Sequence, residues 1–184
     1  NCIYKHENKI FGTNTDGEAA IKVFNSKFGN IKNKKCLILG YGGVGKAITA
    51  FFNNATKKKI IVSNRTKINK NIINKNNLEF IEWKKFPEIL SIVDIIINCT
   101  TLGFNKNIKS PINKKDFNKI KNNTYFFDAI YNPLETTFLK LSKLRSKNSL
   151  NGLEMNKMQA ILAIKKVLRV KYSINNIQRK LAKF

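Results

Sequence analysis

From Lys35 onward the chain alternates short apolar runs with longer mixed stretches. The runs Cys36–Leu39, Ile60–Ser63, Leu78–Ile81, Ile95–Asn98 and Tyr125–Asp128, with a short one at Ser149–Leu150, read as continuous strands. A strand that is apolar along its whole length is buried on both sides, as happens when helices cover both faces of a parallel sheet. Between the runs the spacing predicts helices over Val44–Asn53, Phe86–Ser91, Lys115–Ile120, Thr136–Arg145 and Asn156–Leu168, and an amphipathic last helix over Ser173–Ala182. Ahead of them, Ala20, Val23, Phe24 and Phe28 recur at helical spacing and Gly29 stops the helix; Asn14-Thr15-Asp16-Gly17 leads into it. Cys2–Tyr4 and Lys9–Gly12 read as two short strands around a polar turn at Glu7-Asn8. The Lys- and Asn-rich pieces Asn69–Asn77 and Asn105–Lys109 read as solvated loops. The predicted fold is α/β: a Rossmann-like, doubly wound, mostly parallel sheet with helices on both faces.

Two of the junctions carry chemistry. Gly40-Tyr41-Gly42-Gly43-Val44-Gly45 joins the first apolar run to a helix. Gly40 permits the tight turn, Gly42 lets the backbone approach a pyrophosphate, and Gly45 lets the helix pack close to the strand. The next apolar run leads into Asn64-Arg65-Thr66. An NAD site usually has Asp or Glu there for the ribose 2′-hydroxyl, whereas arginine suits the 2′-phosphate of NADP. Alone, the loop is a common turn and Arg65 a solvated charge; together they point to NADP. Polar segments also follow the later strands: Asn98-Cys99-Thr100-Thr101-Leu102-Gly103, Asp128-Ala129-Ile130-Tyr131-Asn132-Pro133, and Asn151-Gly152-Leu153-Glu154-Met155 with Gln159 beyond. Parallel sheets bind ligands at that rim. Singly, Asn132-Pro133 and Asn151-Gly152 are turns, Tyr131 caps the core, and Met155 and Met158 belong to the core.

Six segments in order, Asn14–Gly17, Gly40–Gly45, Asn64–Thr66, Asn98–Gly103, Asp128–Pro133 and Asn151–Gln159, resemble the shikimate dehydrogenase family over essentially the whole chain. The resemblance implies NADPH-dependent reduction of 3-dehydroshikimate to shikimate, with a Lys–Asp pair handling the proton. Asp16 matches the catalytic Asp; Asn1, Asp16, Tyr131 and Gln159 match substrate-binding positions. Gly40, Gly42, Gly43, Val44, Gly45, Asn64, Arg65, Thr66, Asn98 and Thr100 fall in the cofactor segments, and Ala129 and Gly152 match contacts at the nicotinamide end. Residues 1–15 then correspond to the end of a substrate lobe, 16–150 to the NADP-binding domain, and 151–184 to helices returning toward that lobe. The family's catalytic Lys and carboxylate-binding serines would precede Asn1, and the chain opens without Met, which fits a piece of a longer protein. The family's second phosphate-binding arginine is replaced by Asn69, with Lys67 or Lys70 as substitutes.

Composition modifies this little. At 184 residues one ordinary domain with a real core is expected. No run reaches the ~18 apolar residues of a membrane span, and the start has no signal-type apolar segment. Of the three cysteines, Cys2, Cys36 and Cys99, the last two lie in apolar runs and suit reduced core thiols of a cytoplasmic protein, and no spacing suits a metal. The net charge of +24 would suit nucleic acid, but the lysines are scattered rather than gathered in one stripe. The small-molecule substrate is therefore the expected partner, in a monomer or homodimer. The alternatives are a quinate/shikimate dehydrogenase using NAD and a basic nucleic-acid-binding module without catalysis.

Overall fold

The computed structural model describes residues 1–168 and 173–181. Strands β1 (Cys2–His6) and β2 (Lys9–Thr13) form an antiparallel hairpin. Glu7 and Asn8 at its turn both have positive φ, 45° and 60°, as a two-residue primed turn requires. Helix α1 (Asp16–Phe28) follows and stops at Gly29. Then come β3 (Cys36–Leu39), α2 (Gly43–Ala55), β4 (Ile61–Asn64), α3 (Lys70–Lys75), β5 (Glu79–Glu82), β6 (Ile95–Asn98), β7 (Tyr125–Asp128), α4 (Thr137–Lys143), β8 (Ser149–Leu150), α5 (Leu153–Leu168) and α6 (Ile174–Leu181).

The second sheet runs β5-β4-β3-β6-β7-β8, and every neighbouring pair is parallel. The chain moves outward from β3 one way, returns, and leaves the other way from β6. The strand order therefore reverses between β3 and β6, where such folds leave a crevice at the strands' carboxyl ends. Alternate side chains of one strand feed opposite layers. Cys36, Ile38, Val62, Ile97 and Phe127 pack with Phe24 of α1 and Phe52 of α2. Leu37, Leu39, Ile61, Ile96 and Phe126 pack with Phe86, Phe117 and Phe138 on the other face. This two-sided burial is why the central strands read as unbroken apolar runs.

The structure departs from the sequence reading in places. Asn69–Asn77 is not a loop: Lys70–Lys75 is helical, and Asn69 Oδ1 caps it by accepting from the Asn71 amide at 2.8 Å. Phe86–Ile89 and Lys114–Lys119 are 3₁₀ turns rather than α-helices; Pro87 removes an amide donor from the first. Strand β5 is not apolar throughout, because as an edge strand it exposes Glu79 and Glu82. Helix α5 starts three residues earlier than expected, at Leu153, which puts Glu154 and Met155 on it. Ala182, the expected end of the last helix, lies outside the described residues. Among the described residues no helix is long and apolar enough to cross a membrane.

Candidate functional site

The glycine loop leaves β3 at the point where the strand order reverses. Gly40 has φ +95°, and its amide donates to the Ser63 carbonyl at 2.8 Å, tying the turn to β4. A Cβ at Gly45 would lie 2.2 Å from the Gly40 carbonyl oxygen, so the first turn of α2 sits directly on the loop. Gly42 and Gly43 differ: a Cβ at either would meet nothing within 4 Å. No side chain caps α2 at Gly42, and the uncapped first-turn amides of a helix can donate to an anion. Asn64 joins the loop to the next one. Its Oδ1 accepts from the Tyr41 amide at 3.1 Å, and its Nδ2 donates to the Thr66 carbonyl at 2.9 Å.

Beside this cradle lies a pocket of about 440 Å³, walled by Gly42, Asn64, Arg65, Trp83 and Thr100. A second cleft of about 290 Å³ is lined by Asp16, Val44, Ala129, Tyr131, Gly152, Met155 and Gln159. Cys99, Thr100 and Thr101 line both, so the two form one groove along the strands' carboxyl ends. Gly152 is needed there, because a Cβ would lie 2.2 Å from the Ala129 carbonyl oxygen. Arg65 and Lys67 also share an outer wall with Trp83.

The far end of the groove gathers residues distant in sequence. Asn1 Nδ2 donates to Asp16 Oδ1 at 2.6 Å, to Thr15 Oγ1 at 3.2 Å and to Gln159 Oε1 at 3.4 Å. The Thr15 amide donates back to Asn1 Oδ1 at 2.9 Å. Asn14 Oδ1 accepts from the Asp16 and Gly17 amides at 3.0 and 3.4 Å, which fixes the start of α1 and holds Asp16 at the cleft. The hairpin β1–β2 and α5 thus bring Asn1 and Gln159 to α1. Tyr131, 44% exposed, lines the same cleft rather than capping the core.

Under the groove lies a buried polar knot. Asn98 and Asp128 end adjacent strands in register. Asn98 is fully buried and its side chain is spent inside the protein, so its own amide does not face the groove. Burial pushes the Asp128 carboxyl up to about 6, against hydrogen bonds from Thr136, the Ile130 amide and Asn98 that lower it. Burial likewise raises the thiols of Cys36 and Cys99, with nearby Asp94 and Asp128 adding to it; neither is poised as a nucleophile at neutral pH. Among the described residues no group of His, Cys, Asp or Glu could hold a metal.

A family profile described as shikimate/quinate 5-dehydrogenase matches residues 22–148. The chain belongs to that family. It is 41% identical over 160 residues to the shikimate dehydrogenase (NADP(+)) of Pelagibacter ubique, covering 87% of this chain and 58% of that protein. It is 37% identical over 174 residues to that of Methanocaldococcus jannaschii, covering 90% of this chain and 60% of the relative. A solved shikimate dehydrogenase in complex with NADP+ superposes with a TM-score of 0.81 at 31% identity, over 94% of this chain and 62% of that one. The chain thus spans a little over half the length of these curated relatives.

Shikimate dehydrogenase motifs account for most of the groove's lining, but not all of it. Trp83 carried no signal in the sequence, because it follows an edge strand and belongs to none of the six segments. Thr15 and Asp128 lay inside matched segments, yet only their burial and bonding show what they do. Asn69, at the position of the second arginine, is occupied as a helix cap. Of the two substitute lysines, Lys67 lines the wall beside Arg65. Met155 serves both the core and the cleft, and Met158 packs against the core.

Proposed function

We propose that this chain supplies the NADP-binding domain and one wall of the substrate site of an NADPH-dependent shikimate dehydrogenase, which reduces 3-dehydroshikimate to shikimate. The observation that carries the reading is the single groove running from Arg65 to the Asn1–Asp16–Gln159 cluster. The residues present fit the cofactor. Arg65 would pair with the 2′-phosphate and Lys67 would add a second positive charge; an arginine fork suits phosphate better than a lysine point charge. The open backbone at Gly42-Gly43 and the uncapped start of α2 would receive the pyrophosphate. Ala129 and Gly152 leave room for a flat ring. Bound there, NADPH supplies a hydride to the substrate's ring carbonyl.

The chain's own residues hold the substrate and the proton. Asn1, Tyr131 and Gln159 present polar groups to the substrate's hydroxyls. The Asp16 carboxylate would hold a lysine ammonium positioned to give its proton to the substrate oxygen. Among the described residues no lysine is ion-paired with Asp16. We assign that lysine to the share of the relatives' length that this chain does not span. Arg65 favours NADP over the NAD-using quinate reading. The scattered charge of +24 is a solvated surface in this account, and the free cysteines suit the cytoplasm.

Turnover of 3-dehydroshikimate, followed by nicotinamide absorbance, tests the reading. The full-length protein carrying this chain is expected to use NADPH, and the 184-residue chain alone to bind it without appreciable turnover. General acid–base help supplies ~10²–10⁴-fold, so Asp16→Asn should lower kcat about a hundredfold with NADP+ affinity intact. An Asp16→Asn enzyme with normal kcat contradicts the proton-handling role.

A further inference from the structure

The cofactor reading leaves one buried carboxylate without a task. Asp128 has no solvent exposure, and its partners are all neutral donors. Oδ1 accepts from Asn98 Nδ2 and from the Ile130 amide, each at 3.1 Å; Oδ2 accepts from the Thr136 hydroxyl at 2.6 Å. Asn98 carries the link onward. Its Oδ1 accepts from the Thr100 amide at 3.0 Å and the Thr100 hydroxyl at 2.7 Å, while Nδ2 also reaches the Leu102 carbonyl at 3.2 Å. One carboxyl group thus roots two loops. Residues 99–103 hang from it through Asn98, and residues 129–136 are pinned at both ends, at Ile130 and Thr136. Thr100 on the first loop and Ala129 and Tyr131 on the second line the same cleft.

A buried carboxyl without a cationic partner is costly. What it provides here is two acceptor atoms for three donors converging from the end of β6, the loop after β7 and the start of α4. An aliphatic residue would leave the Ile130 N–H buried and unpaired and one of the two Asn98 amide hydrogens without its acceptor, and a buried unpaired donor costs more than an ordinary bond is worth. We propose that Asp128 is a positioning residue: it sets the separation of the two loops that form the nicotinamide end of the groove. It touches no ligand and acts through Thr100, Ala129 and Tyr131. The pyrophosphate cradle and Arg65 hang from β3 and β4, outside this knot.

The inference rests on the cofactor reading, so the test compares two probes. NADP+ spans the whole groove, whereas adenosine 2′,5′-bisphosphate reaches only the Arg65 end. Calorimetric titration of the 184-residue chain should show Asp128→Ala weakening NADP+ about tenfold or more, the scale of one lost, well-made hydrogen bond set. The bisphosphate affinity should fall clearly less, because of the two loops only residues 99–103 reach the Arg65 pocket. Asp128→Asn keeps an acceptor for Asn98 and Ile130 and can donate to Thr136, so it should recover NADP+ binding to within about threefold. If Asp128→Ala does not fold, Thr136→Val, which frees one end of the 129–136 loop alone, should give the same selective loss, because that loop lines only the cleft at the nicotinamide end. Equal losses for both probes, or no loss for either, overturn the positioning role. Wild-type protein that binds neither probe overturns the cofactor reading, and this inference with it.

Discussion

Gly45 and Gly42 sit three residues apart in one loop, and the same added methyl group meets opposite surroundings at the two. At Gly45 it would lie 2.2 Å from the Gly40 carbonyl oxygen and 3.0 Å from its carbon. Carbon–oxygen contacts settle near ~3.3 Å or beyond, so the start of α2 must retreat from the turn by about 1 Å. The obstacle is backbone, which cannot rotate aside as a side chain would. Overpacking costs ~1–3 kcal/mol, and a backbone obstacle puts Gly45→Ala in the upper half, about 2–3 kcal/mol. For a chain of this size that lowers Tm by roughly 5–10 °C. At Gly42 the methyl meets nothing within 4 Å, and the backbone there, φ −77° and ψ −162°, suits any residue. Gly42→Ala should therefore melt within about 2 °C of the parent. Its methyl would instead stand where the pyrophosphate meets the backbone, and NADP+ affinity should fall about tenfold or more. Thermal melts and titration calorimetry on the two variants separate the effects. A Gly45→Ala protein that melts like the parent, or a Gly42→Ala protein that binds NADP+ normally, refutes the division of labour within the loop.

Three further outcomes are expected. Trp83 is the chain's one tryptophan and walls the Arg65 end of the groove; saturating adenosine 2′,5′-bisphosphate should change its fluorescence, and unchanged emission would remove Trp83 from the site. Asp128 ionises near its ordinary 3.8 when unfolded and near 6 when folded, so the folded state holds the extra proton between those values. Its contribution to stability therefore falls as pH rises through that window, by about 3 kcal/mol in all; urea unfolding of wild type against Asp128→Asn at pH 4 and pH 7 should show that difference, and a pH-independent gap would contradict it. Phe24, 1% exposed and in aromatic contact with Phe28, Phe52, Tyr125 and Phe127, should cost ~3–5 kcal/mol on truncation to Ala; a loss under 1 kcal/mol by chemical denaturation would show the layer between α1, α2 and the sheet to be loosely packed.

The sheet was legible because its central strands are buried on both faces: β3, β4, β6 and β7 are unbroken apolar runs, and each leads into a segment whose residues line the groove. Edge elements were less so. Strand β5 exposes Glu79 and Glu82, and α3 hides in a Lys/Asn-rich stretch with no buried residue, its one local signal being the Asn69 cap. The glycine pattern indicated the loop and also Gly45 as the glycine of close packing, where a Cβ would lie 2.2 Å from the Gly40 carbonyl oxygen. Gly17 had only a motif to its name, although a Cβ there would lie 2.2 Å from the Ala47 carbonyl oxygen where α1 crosses α2. Asn1, Asp16 and Gln159 were named separately; their contact depends on a hairpin turn and a helix start that bring together positions 158 residues apart. Trp83 and the Asp128 knot were not readable as site features, because stacking walls and buried networks depend on tertiary packing and leave no local period.

The most direct test of the account is the affinity of the 184-residue chain for NADP+ and NAD+, measured by calorimetry on the parent and on Arg65→Ala. A charge-assisted pair with the 2′-phosphate is worth ~1.5–3 kcal/mol. The parent should therefore prefer NADP+, and Arg65→Ala should lose about ten- to a hundredfold in NADP+ affinity while NAD+ binding stays nearly constant. Equal losses for both cofactors, or a parent that binds neither, would contradict the claim that this groove is an NADP site.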